Sequence, residues 1–378
     1  MRTLDIARFT EILQTVFAPG PAEKDLLLLV DLPTAARPDT QHWRDRRRLV
    51  AEWYTMLQPH AARLPFAGIS CAAYDHVATN NADLPAGMML VDRCTPDRPT
   101  TLNHAIQRDD LLGRASVVFA LTELSATAPL KNLARQLGFR GASMPGFTRA
   151  MLPTLQLDYG KIDARVRQIK ERMDRAVAAD AVFLAGGERY LLHLDLRFRT
   201  GHASGGLMRD PGTVANLPSG EAYIVPYEGE RQDLPSQTEG SLPIEMEGEL
   251  LVFKINQNKA VQVVTSGRIS DSQRSRLLAE PAYGNLAELG IGVLGDFGVT
   301  AMGQTLVDEK LGLHIAFGRS EHFGGVTSPD SFRNPKNAVH LDWVYVPSVQ
   351  PRIRVESLHF RYPDQQDELV IHNDKILV

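Results

Sequence analysis

Short apolar runs separated by helix-length stretches fill the first half of the chain. The runs are Leu26–Val30, Ala67–Ala73, Met88–Val91 and Val117–Leu121. Between them lie His42–Met56 and Leu130–Leu137, the second followed by Gly138 as a stop. Strand–helix alternation of this kind predicts an α/β domain with a mostly parallel sheet covered by helices. Ile162, Val166, Ile169, Met173 and Val177 recur at helical spacing and predict one buried helix face. The period then changes. From Arg189 to Arg199, Tyr190, Leu192, Leu194, Leu196 and Phe198 alternate with His193, Asp195, Arg197 and Arg199, the pattern of a half-buried strand.

Short strand-like runs broken by Gly, Pro and Asn follow at Ala222–Val225, Glu249–Ile255, Gln262–Thr265, His314–Phe317, Val339–Tyr345 and Leu369–Val378. The second half therefore predicts an α+β, β-rich domain. The expected boundary lies near residues 185–190, giving domains 1–186 and 187–378. A length of 378 residues suits about two domains.

Composition narrows the function. The chain is 43% hydrophobic and 23% charged, which is ordinary globular composition. Its formal net charge of −4 argues against a dominant basic face for nucleic acid or anionic lipid. The longest conspicuous apolar run, Leu26–Val30, is far short of the roughly 20 residues that a membrane-spanning helix needs. The amphipathic N-terminus, with acidic and basic residues interleaved, does not read as a signal peptide. A cytoplasmic protein is expected. Only Cys71 and Cys94 are present, which excludes a cysteine-rich zinc module; two free thiols are expected, with one bridge as the alternative.

The candidate chemistry sits in the second half. His340-Leu341-Asp342 on a strand would point an imidazole and a carboxylate at one spot, a geometry that suits a divalent metal. Glu309 and His314 flank Gly312, whose turn would let them converge. Leu217–Glu221 (LPSGE) puts a carboxylate at the start of an apolar run. Glu288 stands among small and apolar residues, where an unpaired charge is costly and a cation is wanted. Taken singly, the first three suit solvated surface as well as a ligand. Gly290–Gly295 matches GxGxxG, but its turn-like approach and the poor helix start after it argue against a dinucleotide site. Asp296-Phe297-Gly298 lacks an upstream kinase catalytic loop.

In order, LPSGE at Leu217–Glu221, ELGIG at Glu288–Gly292, Glu309 with HIAFG at His314–Gly318, and HLD at His340–Asp342 resemble the M29 (aminopeptidase T) family of metallo-aminopeptidases. The likeness is clear over about residues 186–378 and weaker over the N-terminal half. It implies a dinuclear metal site in the C-terminal domain and a homodimer. It also implies six metal ligands: Glu221, Glu288 as the bridge, Glu309, His314, His340 and Asp342. The family tyrosine thought to assist catalysis falls at Glu321, seven residues after His314 and followed by His322. Glu321 or His322 is the expected proton donor or hydrogen-bond partner, with Glu221 as a further site residue.

Four carboxylates and two imidazoles suit two divalent cations about 3.5–4 Å apart that activate a water. Zinc is the default, with cobalt or manganese also tolerated by oxygen-rich ligation. The expected substrate is a peptide or small amide. The alternative is a mononuclear non-haem Fe(II) dioxygenase that opens dihydroxypyridine rings, using His314, His340 and Asp342. That branch resembles the chain at the closing HxD but replaces glutamates that are kept here. A non-catalytic protein with a structural metal is a third reading.

Overall fold

The computed structural model describes residues 4–91, 105–363 and 366–378. Two compact units divide the chain. One comprises the chain up to Lys161 together with Gly206–Ser219; the other comprises Ile162–Gly205 and Gly220–Val378. Helical residues from Ile162 and the strands that follow pack with the second unit, so the division lies earlier than the 186/187 boundary read from the change of period.

The first unit is built on a seven-stranded sheet. From edge to edge it runs Val214–Asn216, Arg140–Ser143, Ala115–Leu121, Asp25–Leu32, Ile69–Asp75, Gly87–Leu90 and Ala105–Gln107. The first five strands are parallel and the last two antiparallel. Leu26, Leu27, Leu28 and Leu29 are all buried, because a parallel strand covered on both faces needs a continuous apolar run. The helix Gln41–Leu57 starts at Thr40, whose hydroxyl accepts from Trp43 N at 3.2 Å. The helix Thr127–Leu137 stops at Gly138, which is left-handed (φ 83°). Cys71 stands in a disulfide, so the alternative of a bridge holds and the expected free thiols do not; Cys94 lies outside the described residues.

The second unit holds two antiparallel sheets. The larger runs Lys259–Val263, Glu249–Asn256, Glu239–Met246, Glu188–Asp195, Ala178–Ala185, Ile353–Arg361, Glu368–His372 and Lys375–Ile376. The smaller runs His340–Tyr345, Leu313–Gly318, Leu286–Gly292, Glu221–Ile224 and His202–Ser204. The helix Tyr159–Arg175 buries Ile162, Val166, Ile169 and Met173 completely, whereas Val177 lies beyond its end. Leu192, Leu194 and Leu196 point inward as the alternation predicts. Phe198 does not: the strand ends at Asp195, and Phe198 is 47% exposed in a turn with φ 64°. Among the described residues no helix is long and apolar enough to cross a membrane.

Candidate metal centre

The centre occupies one face of the smaller sheet, and register decides which residues reach it. Glu221 and Tyr223 share a face because they are two apart on a strand. Tyr223 lies opposite Gly290, and Gly290 opposite His314. Glu288 lies opposite Ala316, and Ala316 opposite Asp342; Gly318 lies opposite His340. Three strands thus present Glu288-x-Gly290-x-Gly292, His314-x-Ala316-x-Gly318 and His340-x-Asp342 to the same side. The intervening positions Leu289, Ile291, Ile315 and Phe317 are fully buried on the opposite side.

The small residues make room for the large ones. A Cβ at Gly290 would stand 1.9 Å from His314 Nε2, so only glycine leaves space for the imidazole. A Cβ at Gly292 would stand 2.0 Å from the carbonyl carbon of Lys310, so the Lys310 backbone packs directly on that glycine. Gly290 and Gly292 lie within an antiparallel strand, and a 3-10 turn at Leu294–Phe297 follows. A dinucleotide loop needs a helix there instead, so the GxGxxG match is a coincidence of strand packing.

Two sets of donor atoms result. Glu221, Glu288 and His314 form one, and Glu288, His340 and Asp342 form the other; within each, one ligand atom per residue lies within 4.8 Å of the rest. Glu288 belongs to both. Its Oε1 is 3.1 Å from His314 Nε2, and its Oε2 is 3.3 Å from His340 Nε2. His340 Nε2 is also 3.4 Å from Asp342 Oδ1. The other nitrogen of each ring faces a backbone carbonyl: His340 Nδ1 is 2.9 Å from Arg319 O, and His314 Nδ1 is 3.4 Å from Gly312 O. A ring that donates from Nδ1 to a carbonyl offers its Nε2 lone pair to a cation.

The residues fit a metal on two counts. Carboxylate and imidazole are the donor types that divalent transition ions take. In addition, Glu221 Oε2 is buried and accepts no hydrogen bond. A desolvated carboxylate oxygen without a donor is unfavourable unless a cation completes it.

The groups perturb one another strongly. Burial pushes the Glu288 carboxyl up, but His314 and His340 outweigh it and hold it well below the usual range. Burial would lower His314, yet its hydrogen bond to Glu288 and the charges of Glu221 and Asp342 raise it to about 9. His340 is likewise held well above its usual value, against burial, by Asp342 and Glu288. Asp342 is held low, against burial, by His340.

Glu309 is near the cluster but in neither donor set. Its carboxyl is paired with the ammonium of Lys310. Burial, with Glu221 and Asp342 nearby, pushes it up to about 8 although Lys310 pulls it down. Lys310 is fully buried and donates to Glu221 Oε1 at 2.6 Å. Nothing in the residue pattern around Lys310 marks it as a site residue. Its backbone packs on Gly292, and its carbonyl accepts from Leu294 N at 2.7 Å.

Glu321 and His322 fall on a short 3-10 turn, Glu321–Phe323, in a loop that Glu228 ties down. The Glu228 carboxylate accepts from Ser320 Oγ and Thr327 Oγ1, both at 2.8 Å, and from Asn285 Nδ2 at 2.6 Å. Burial pushes the Glu321 carboxyl up, but His322 and the Arg319 guanidinium bring it to about 2. Burial, with His340 and Arg319, lowers His322 although Glu321 opposes them. Its ring lies 5.5 Å from that of His340. Tyr223, absent from the sequence-derived set, shares the face of the metal ligands and packs edge-on to Phe323 at 4.8 Å.

No family model matches the chain, and no curated protein matches it in sequence. Solved structures do. The 2,5-dihydroxypyridine dioxygenase from Pseudomonas putida KT2440 superposes with a TM-score of 0.59 at 14% identity, covering 99% of this chain and 98% of that one. Wild-type AmpT from Thermus thermophilus superposes with a TM-score of 0.58 at 14% identity, covering 98% of each chain. At that identity the likeness shows a shared fold. The fold and the two donor sets together define the class, a mixed α/β protein with residue groups suited to a metal cofactor.

Proposed function

We propose that the chain is a metal-dependent hydrolase of the aminopeptidase type, removing N-terminal residues from peptides or cleaving a related small amide. The observation that carries this reading is the sharing of Glu288 between two donor sets. A carboxylate with one oxygen toward each set suits two cations rather than one. The motif resemblance and the fold shared with AmpT support the same reading.

Two divalent ions, zinc by default, would supply a water activated at neutral pH and a Lewis acid for the substrate carbonyl. Glu221, His314 and one oxygen of Glu288 would hold one ion. His340, Asp342 and the other oxygen of Glu288 would hold the second. Glu309 stands behind Glu221 through Lys310. We assign His322, whose ring lies beside that of His340, to hydrogen-bond the reacting carbonyl or the leaving amine. Glu321 Oε2 lies 3.6 Å from His322 Nδ1 and gives that ring an anionic neighbour.

The second reading is a ring-opening dioxygenase with one Fe(II), favoured by the likeness to the dihydroxypyridine enzyme. It would use His314, His340 and Asp342 as a facial triad. Against it, His314 falls into a set with Glu221 and Glu288, and a single ion has no use for both glutamates. Elemental analysis of untagged protein and an aminoacyl-arylamide panel test the choice. About two zinc, cobalt or manganese equivalents with amide hydrolysis are expected. A single iron, with oxygen uptake on a dihydroxypyridine, would overturn the hydrolase.

A further inference from the structure

Lys310 sits within the cluster, and neither donor set uses it. Its side chain is 0% exposed, and its ammonium lies between Glu221 Oε1, at 2.6 Å, and the Glu309 carboxyl. Lysine is rarely buried completely, because removing an ammonium from water is expensive unless partners replace the solvent. Here the partners that replace the solvent are two carboxylates, Glu221 and Glu309. The consequence for Glu221 is geometric. Oε1 is taken by Lys310, and Oε2 is left without a hydrogen bond, 3.5 Å from His314 Nε2. The lysine therefore decides which Glu221 oxygen faces the donor set.

We infer that Lys310 is a resident counter-cation and positioning residue: its ammonium holds the Glu221 and Glu309 carboxyls in place and aims Glu221 Oε2 at the metal position shared with Glu288 and His314. The inference rests on the metal-centre reading. Lys310 makes a site rich in carboxylates foldable before any metal arrives, with Glu221 already oriented. A metal then adds positive charge to a carboxylate that is already neutralised on its other side. Loss of the lysine should therefore be felt most by the metal-free protein, where Glu221 would lose the ammonium on Oε1 and keep only His314, 3.5 Å from Oε2. A bound cation would make up for much of that loss.

The test compares thermal unfolding of the full chain and of Lys310→Met, each stripped with chelator and each saturated with zinc or manganese ions. Methionine keeps the length and apolar volume of the lysine stem. Removing one partner of a buried ion pair should lower the metal-free midpoint by about 6–20 °C for a unit of this size. The metal-saturated variant should show less than half of that drop. The double variant Glu221→Gln/Lys310→Met, measured metal-free, should regain at least half of it, because the amide no longer needs a cation.

Equal drops with and without metal, no drop at all, or no recovery in the double variant would each overturn the inference and leave Lys310 as packing. If Lys310→Met does not fold, rescue by metal ions or by Glu221→Gln supports the proposal, and failure of both overturns it. The metal-centre reading fails separately, if the unmodified chain takes up no metal. In that case the metal-free comparison of the single and double variants still decides whether Lys310 is the partner of Glu221.

Discussion

Replacing Gly290 with alanine puts one methyl group against the centre and changes nothing else. The backbone at Gly290 is not left-handed, so alanine meets no conformational penalty there. The added carbon would stand 1.9 Å from His314 Nε2 and 2.2 Å from its Cε1. Non-bonded heavy atoms rest at about 3.5–4.0 Å, so the ring must retreat by roughly 1.5–2 Å. A metal–nitrogen bond tolerates only about 0.2 Å. The displacement is several times larger, and His314 would also leave Glu288, now 3.1 Å away.

Overpacking should cost about 1–3 kcal/mol of stability. Metal affinity should fall by at least about 10–100-fold, which is already the usual cost of disturbing a residue that merely supports a ligand. Equilibrium dialysis against zinc with elemental analysis measures the second effect, and the thermal midpoint measures the first. Gly113→Ala is the control, because nothing lies within 4 Å of its added Cβ. A Gly290→Ala protein that binds metal as the parent does would show that His314 does not point where this sheet face puts it.

Three further outcomes follow from the same geometry. Glu288→Gln offers one carbonyl oxygen where the carboxylate offered two, so it should lose both metal equivalents, whereas Asp342→Asn weakens only the set that it belongs to; equal losses in the two variants would count against a shared glutamate. Asp31 is 1% exposed, and burial raises its carboxyl to about 6 although Glu123 N and Trp43 Nε1 donate to it. Its folded value lies above the unfolded one, so its contribution is full below about pH 4 and is lost as pH rises through about 6. Relative to the parent, Asp31→Asn should therefore gain up to about 3 kcal/mol between pH 4 and pH 7 in denaturant titrations; a constant difference would contradict this. His322→Phe should keep the full metal content and lower turnover of an aminoacyl-arylamide, and loss of metal along with turnover would make His322 a packing residue of the His340 ring.

Four strands of the first unit were legible, the buried parallel ones because such a strand writes itself as a run like Leu26–Val30; the short strands Ala105–Gln107, Arg140–Ser143 and Val214–Asn216 were not, and the helix Thr127–Leu137 was legible because Gly138 ends it. Glu239–Met246 was not legible. Pro243 and Gly240 sit inside it, and both residues argue against a strand when read locally. Leu286–Gly292 was missed for a related reason: two of its seven residues are glycines, which are poor strand formers. The donors Glu221, Glu288, His314, His340 and Asp342 come from four different strands. Spacing alone joins only His340 to Asp342, and motif order suggested the rest. Lys310 was invisible because an isolated lysine after a glutamate reads as solvated surface, whereas in the fold its backbone packs on Gly292 and its ammonium is enclosed between Glu221 and Glu309.

The glycines explain both the failure and the decoy. In a strand that only has to pack, positions 290 and 292 would carry β-branched or aromatic residues. Here the face must hold two imidazoles and three carboxylates within a few ångströms, and a flat pleated surface has no depth for them. Depth comes from removing side chains at alternate positions: Gly290 and Gly292 beside Glu288, Ala316 and Gly318 beside His314. Such a strand reads as ligand-x-small-x-small, with large apolar residues at each x facing the core, as Leu289, Ile291, Ile315 and Phe317 do. A GxG pair produced this way imitates a phosphate-binding loop. The two differ in what the glycine clears. In a phosphate loop it lets a ligand approach the backbone, whereas here it clears space for a side chain from the neighbouring strand. A carboxylate two residues before the first glycine, with an HxAxG strand later in the chain, is the signal that separates them.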